Sequence, residues 1–369
     1  MLDFVGYLLF CFLRLIGYGA PSKGYEKQRV QRLLILRTDR IGDLVLSTPA
    51  IATLRDHFPE ASISCLVSLY AKDVVLGHPA LDEVIVYDRR ILKKPFKLLR
   101  FLSELRKKRF DMAVVLNYTP DAILLAYLSG APVRVGTRIP GLGWFLTQSI
   151  GYRERDRFGR HEIECVLDVL RKIGIEPFRK ELSVSVSEKG ELFATHFFGH
   201  NDLEGEKVVA IHPGSRQPRM RWKKGGFIEV IDALREEGVR ILLIGGPAEE
   251  DLVDAIARTV RGPVMATPPG MTLTELISLL KRCSLFIGHG TGTMHIAAAL
   301  NIPVIAIFAD GSPMDSHEKW GHRGPQQIIV ELPQKSFETF DGEAYSGAQT
   351  IIGAAKKLLG VGLHDKTAK

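Results

Sequence analysis

One carboxylate and three polar loops carry the residue types in this sequence that suit chemistry. Asp43 follows Gly42 at the end of the polar loop Arg37-Thr38-Asp39-Arg40-Ile41-Gly42-Asp43, where a helix is expected to begin. A carboxylate there can take the proton from a sugar hydroxyl as that hydroxyl attacks. The same position also suits a helix cap, a role that Asp fills well. The first polar loop runs from His212 to Trp222 and holds Ser215, Arg216, Arg219 and Arg221. Arginines so spaced either clamp a diphosphate through charge-assisted hydrogen bonds or stand solvated. In the second loop Glu249 and Glu250 follow Gly245-Gly246-Pro247. Carboxylates there hold ribose hydroxyls or favour a helix start through its dipole. The third loop, Gly288 to His295, sets Thr291, Gly292, Thr293 and His295 at the amino end of a helix. Backbone N–H groups at such an end bind phosphate. His295 equally suits a buried core histidine.

These loops need elements to hold them. Leu33-Leu34-Ile35-Leu36 reads as a buried strand, and a helix through about Asp56 follows its loop. Further apolar strands are expected at Ile63–Val67, Val84–Tyr87 and Met112–Leu116. A second series begins at Val208, with strands at 208–211, 240–244, 285–287 and 304–308 and helices at about 226–237, from Glu249 and over 295–300. Apolar strands alternating with helices predict parallel sheets covered on both faces. Two series predict two domains, residues 31–185 and 186–345, after a segment 1–30 and before a helix and tail 346–369. Residues 151–205, with a helix from His161 to Ile173, form the crossover. Ligands in such folds bind beyond the carboxyl ends of the strands, so a cleft between the domains is the expected substrate site.

Composition narrows the choice. The 369 residues are 46% hydrophobic and 25% charged, which excludes a mostly disordered chain, a collagen-like fibre and a polytopic membrane protein. Lys and Arg number 49 against 42 Asp and Glu, and the net charge of +7 favours an anionic partner. Duplex-binding motifs are absent, so nucleic acid is not the expected partner. Cys11, Cys65, Cys165 and Cys283 stand far apart, without a Cys-x-x-Cys pair. That spacing signals no zinc site and no redox motif, and suits free thiols in a reducing compartment.

Two segments suggest a membrane surface. Residues 4–16, FVGYLLFCFLRLI, are too few to span, and Lys23, Lys27, Arg29 and Arg32 follow them. Such an apolar stretch followed by basic residues suits a helix lying in the interface, against the alternative of a helix packed on the protein itself. Residues 89–109, RRILKKPFKLLRFLSELRKKR, interleave basic residues with Leu and Phe. They read either as a solvated helix with an apolar stripe or as a surface for anionic head groups.

From about Leu33 to Leu359 the chain resembles the family 9 glycosyltransferases, the ADP-heptose:lipopolysaccharide heptosyltransferases. The block LILRTDRIGDLVLSTP at Leu34–Pro49, the HPGS loop with Trp222, the IGGP segment with its glutamate, and TGTMHIAAALNIPVIAIF carry the likeness in order. It implies the α/β GT-B architecture, two Rossmann-like domains facing across a cleft. It also implies inverting, metal-independent transfer, with no cofactor, from a nucleotide-sugar donor held by the carboxy-terminal domain. Asp43 matches the family's proposed base, and Thr38, Arg40 and Gly42 are assigned to the acceptor. Two positions depart from the family pattern: Met220 stands where a Lys two residues before the Trp contacts donor phosphates, and Gly290 stands where an Asp opens the glycine-rich loop. Arg219 and Arg221 flank Met220 and are the expected replacement cations. The reading that follows is transfer of a heptose-like sugar, from ADP-heptose, to a lipopolysaccharide core or related lipid-linked glycan at the cytoplasmic face of the inner membrane. A nucleotide-sugar epimerase on the same fold, and a non-catalytic membrane-associated sugar-nucleotide binder, are the alternatives.

Overall fold

The structure is a computed structural model, and it describes Cys11, Glu26 and residues 29–151, 160–311, 316–321, 326–337 and 346–362. The expected interfacial segment 1–30 lies almost wholly outside the described residues. The chain divides into two compact units between Ser185 and Val186. Each is an α/β unit built on a six-stranded sheet whose strand pairs are all parallel.

In the first unit the strands are β1 (Arg32–Arg37), β2 (Ser62–Ser68), β3 (Glu83–Tyr87), β4 (Met112–Val115), β5 (Val133–Arg138) and β6 (Gln148–Gly151), in the order β3-β2-β1-β4-β5-β6. Leu33 to Leu36 of β1 are fully buried, as a central strand covered by helices on both faces requires. Leu34 and Leu36 join Ala113, Val115, Ile123 and Phe145 in one apolar cluster. The chain leaves β1 first towards β2 and then returns to β4, so strand order reverses between β1 and β4. The loops at their carboxyl ends flank that reversal, the usual ligand position in open α/β sheets.

The second unit repeats this plan with β7 (Val208–His212), β8 (Arg240–Leu243), β9 (Met265–Ala266), β10 (Leu285–His289), β11 (Val304–Ala309) and β12 (Gln327–Leu332). Their order is β12-β11-β10-β7-β8-β9, with the reversal between β7 and β10. Its core gathers Ile211, Phe227, Ile231, Leu243, Ile287 and Ile351.

One expected element is corrected. The helix after β1 does not run unbroken to Asp56; it is Ile41–Val45, followed after a turn by Thr48–His57. Pro49 has no N–H for the Val45 carbonyl, which accepts from the Thr48 hydroxyl instead, at 2.7 Å. The first helix also opens two residues earlier than expected, with Arg40 as its cap residue. Asp43 is therefore inside the first turn and is not the cap.

Candidate active site

Arg37 organises the first unit's loop. The β1 pleat points it away from the side that carries Leu34 and Leu36, and its guanidinium is only 1% exposed. Three carboxylates surround it. Asp39 lies 2.9 Å from Nε, Asp43 3.3 Å from Nη2, and Glu162 3.1 Å from the same Nη2. Nη1 donates to the Leu116 carbonyl at the end of β4. Glu162 comes from the helix Glu162–Arg171, which His161 caps by accepting the Ile163 N–H. Burial works against the Arg37 charge, but the three carboxylates outweigh it and raise its pKa. One cation among three acids leaves an excess of negative charge. Burial lifts the Asp39 carboxyl above the usual range, with Asp43 and Glu162 adding to the rise and Arg37 opposing it.

The remaining loop residues are held by neutral bonds. Asn117, beyond β4, donates to the Thr38 and Thr119 hydroxyls at 3.1 and 2.8 Å. Ser68 and Tyr70 donate to the Asp39 carbonyl at 3.0 and 2.6 Å. Gly42 and Asp43 are buried, while Arg40 is exposed and makes no side-chain cap bond. The structure thus brings Asp43 and Thr38 into one cluster and leaves the Arg40 side chain outside it.

Histidines organise the second unit's reversal point. His212 ends β7 and places Nε2 3.1 Å from Glu249, while its Nδ1 lies 3.3 Å from the Thr291 hydroxyl. Glu249 also accepts the Gly246 N–H at 3.0 Å. Its carboxylate turns back over the loop and makes no cap bond to the helix Glu250–Ala257. Burial pushes the Glu249 carboxyl up, but His212, the Gly246 N–H and Arg221 outweigh it and bring it down to about 2. A Cβ on Gly214 would overlap the Glu249 carboxylate, so this close approach requires glycine there.

His289, the last residue of β10, ties the arginine loop down. Its Nδ1 donates to the Gly214 carbonyl at 3.0 Å, and its Nε2 accepts the Trp222 N–H at 2.8 Å. Those two bonds require the neutral ring, and burial pushes its pKa down to about 4. The Trp222 indole lies against Gly226 so closely that a Cβ there would overlap it, and its Nε1 donates to the Ser346 carbonyl. Between these anchors, Arg221 donates to the Ser215 carbonyl at 3.1 Å and Arg219 to the Gln217 side chain at 2.8 Å. Ser215 is buried, Arg221 half-buried, and Arg216 and Arg219 exposed. Arg221 is therefore more enclosed than the other two arginines of the loop. Thr291 is the cap residue of the helix Gly292–Ala299; Gly292 and Thr293 are half-buried in its first turn, and His295 is buried.

Both departures from the family pattern have a physical account. Met220 packs its apolar side chain against the core of the second unit. A Cβ on Gly290 would overlap the Phe308 ring, so that ring fills the space a larger side chain would need. Sequence reasoning missed Arg37, Glu162, His212, His289 and Asn117 as organising residues. A charged residue at the end of a four-residue aliphatic strand was a usable signal for Arg37. Nothing local marks Glu162, 125 residues away.

Among the described residues no group of three or more His, Cys, Asp and Glu side chains converges as metal ligands would. A family model described as glycosyltransferase family 9 (heptosyltransferase) matches residues 98–343. The chain is 28% identical over 278 residues to lipopolysaccharide heptosyltransferase 3 of Escherichia coli, covering 72% of this chain and 80% of that one. A crystal structure of a family 9 glycosyl transferase from Veillonella parvula superposes with a TM-score of 0.77 at 22% identity, covering 89% of this chain and 97% of that one. ADP-heptose lps heptosyltransferase II of E. coli superposes with a TM-score of 0.72 at 20% identity, covering 89% and 98%. The two-sheet architecture is the fold those structures share.

Proposed function

Since the chain belongs to glycosyltransferase family 9, the heptosyltransferase family, we propose that it transfers heptose from ADP-heptose to a lipopolysaccharide core or a related lipid-linked glycan, with inversion. The observation that carries this reading is the Arg37-held Asp43 in the first turn of the helix that follows β1. The names of the similar lipopolysaccharide and ADP-heptose enzymes support the choice of donor and acceptor.

In the transfer step an acceptor hydroxyl attacks the anomeric carbon of the donor sugar. A new C–O bond forms as the bond from that carbon to the diphosphate oxygen breaks. Asp43 takes the hydroxyl proton, and the nucleoside diphosphate leaves with the electron pair. Arg37 fixes the Asp43 carboxylate, so little reorganisation is needed when the proton moves. Thr38, Arg40 and Gly42 would line the acceptor hydroxyl. On the donor side Arg219 and Arg221, with Ser215 and Arg216, meet the diphosphate. The N–H groups at Thr291, Gly292 and Thr293 spread the leaving charge without a bound metal. Glu249, held in its ionised form, suits ribose hydroxyls; His295, buried in the helix that opens at Gly292, belongs to the same donor side.

We place the enzyme at the cytoplasmic face of the inner membrane as a peripheral protein. No helix among the described residues is long and apolar enough to cross a membrane, and all four cysteines are free. The deciding experiment incubates the full chain with ADP-heptose and heptose-acceptor lipopolysaccharide and identifies the product linkage by NMR. An inverted heptosyl linkage is expected. Release of ADP without any glycosylated product, or no reaction with this donor while another sugar nucleotide is consumed, overturns the assignment.

A further inference from the structure

A surface feature of the first unit deepens the membrane part of that reading and rests on it. The helix Pro95–Lys107 packs on its unit through Phe101, Leu102 and Leu105. Its opposite side, with the turn before it, is not covered. Leu92, Phe96 and Leu99 are 46%, 87% and 60% exposed. Among the described residues the second unit exposes a single large hydrophobic side chain, Leu192. Lys93, Lys94 and Lys97 alternate with the three apolar residues and are also exposed. Among the described residues none of the three lysines is in an ion pair. Across 89–109 ten basic residues face one acid, Glu104.

The topology says which way this patch faces. The helix begins just beyond the carboxyl end of β3, and β3, β2 and β1 are parallel neighbours. The patch therefore starts at the sheet edge that carries the Arg37–Asp43 loop. Between the two, Leu69 and Tyr70 follow β2, both exposed, and the Tyr70 hydroxyl bonds the Asp39 carbonyl. Apolar side chains separated by lysines on a short surface helix match the boundary between head groups and acyl chains. We infer that the Leu92–Leu99 patch docks the first unit on an anionic phospholipid bilayer, with the Asp43 loop on the same edge as the surface that delivers the lipid-linked acceptor. The lysines attract the phosphate head groups; Phe96 and Leu99 insert beside them.

The test uses the full chain and vesicles of phosphatidylcholine with and without phosphatidylglycerol. Binding is expected to the anionic vesicles, and it should weaken as salt rises. Each surface charge contributes about fivefold to partitioning. Lys93→Glu, Lys94→Glu and Lys97→Glu together should thus weaken binding by about a hundredfold or more, with an unchanged melting curve. Phe96→Ser with Leu99→Ser should reduce the part of binding that survives high salt. In Phe96→Trp the added fluorescence should shift to the blue on anionic vesicles and be quenched by brominated lipid. An unshifted Phe96→Trp signal while the parent chain sediments with vesicles would show that another segment makes the contact, and overturns the assignment. Parent-like vesicle binding by the triple lysine variant does the same. Transfer from ADP-heptose to a delipidated glycan is measured beside it. Lost transfer with intact vesicle binding counts against the proposed reaction and leaves the docking surface standing.

Discussion

The two units have the same strand order and place their polar loops at the same reversal point, yet they build those loops from different chemistry. After β1 the organiser is a permanent cation, Arg37, ringed by Asp39, Asp43 and Glu162. After β7 and β10 the organisers are two histidines bonded to Glu249, Thr291, Gly214 and the Trp222 N–H. An excess of buried carboxylate suits proton acceptance. Histidine-centred bonds that fix the loop and leave Arg216 and Arg219 at the surface suit an anion. The fold supplies the place, and the residue at the strand end decides what is done there.

Asp43→Asn should break the first unit's side of that contrast most sharply. Turnover should fall by about 100- to 10,000-fold, as expected for loss of a general base, while donor affinity by calorimetry stays at the parent value. Wild-type turnover would make Asp43 a structural residue only.

Arg37→Met should act on stability rather than on one chemical step. It strands two buried carboxylates, Asp43 and Glu162, and the half-buried Asp39, and removing one partner from a buried ion pair costs about 3–5 kcal/mol. Denaturant melts should show that loss. Arg37→Lys should recover part of the stability but less of the turnover, since Lys cannot reach three acceptors in a fixed plane.

Acid should separate the two loop chemistries next. His289 is neutral in the fold, with its pKa lowered from 6.5 to about 4. Its contribution is fully present above pH 6.5 and is lost as pH falls through about 4, a total of about 3 kcal/mol. Glu249, lowered from 4.5 to about 2, extends the loss further down. Unfolding of the second unit followed by denaturant titration should therefore weaken from pH 6.5 downward. His289→Phe should abolish the upper part of that slope. It should also cost about 1–3 kcal/mol at neutral pH, because the Trp222 N–H loses its acceptor.

The smallest expected effect sharpens the second unit's role. Changing Arg219 and Arg221 to Ala should weaken ADP binding about tenfold or more while leaving adenosine binding nearly unchanged. Equal losses for both ligands in calorimetry would remove the diphosphate from these arginines.

Much of the architecture was legible because central parallel strands are continuous apolar runs. Leu33–Leu36, Val208–Ile211 and Leu285–Ile287 announce themselves, and the loops after them follow. The edge strand β3 was also expected, at Val84–Tyr87, but other edge strands were not. Gln148–Gly151 and Met265–Ala266 are short and partly exposed, so no pattern marks them. The site divides the same way. Asp43, Ser215 and the arginines lie in readable loops, and their residue types point to the chemistry. Glu162 reaches Arg37 only through tertiary folding, and the ring tautomer of His289 depends on bonds to Gly214 and Trp222 that sequence spacing does not encode.

The seating of Trp222 on Gly226 has an evolutionary consequence. One end of the arginine loop is part of the hydrophobic core, whereas Arg216, Pro218 and Arg219 project from it. If these residues meet the donor diphosphate as proposed, drift at the projecting positions would change which anion is met without disturbing the fold. Drift at Gly226 or Trp222 is charged against the whole unit. On the proposed donor role, descendants of this chain could therefore explore new donors at little cost in stability, provided that the anchor stays as it is.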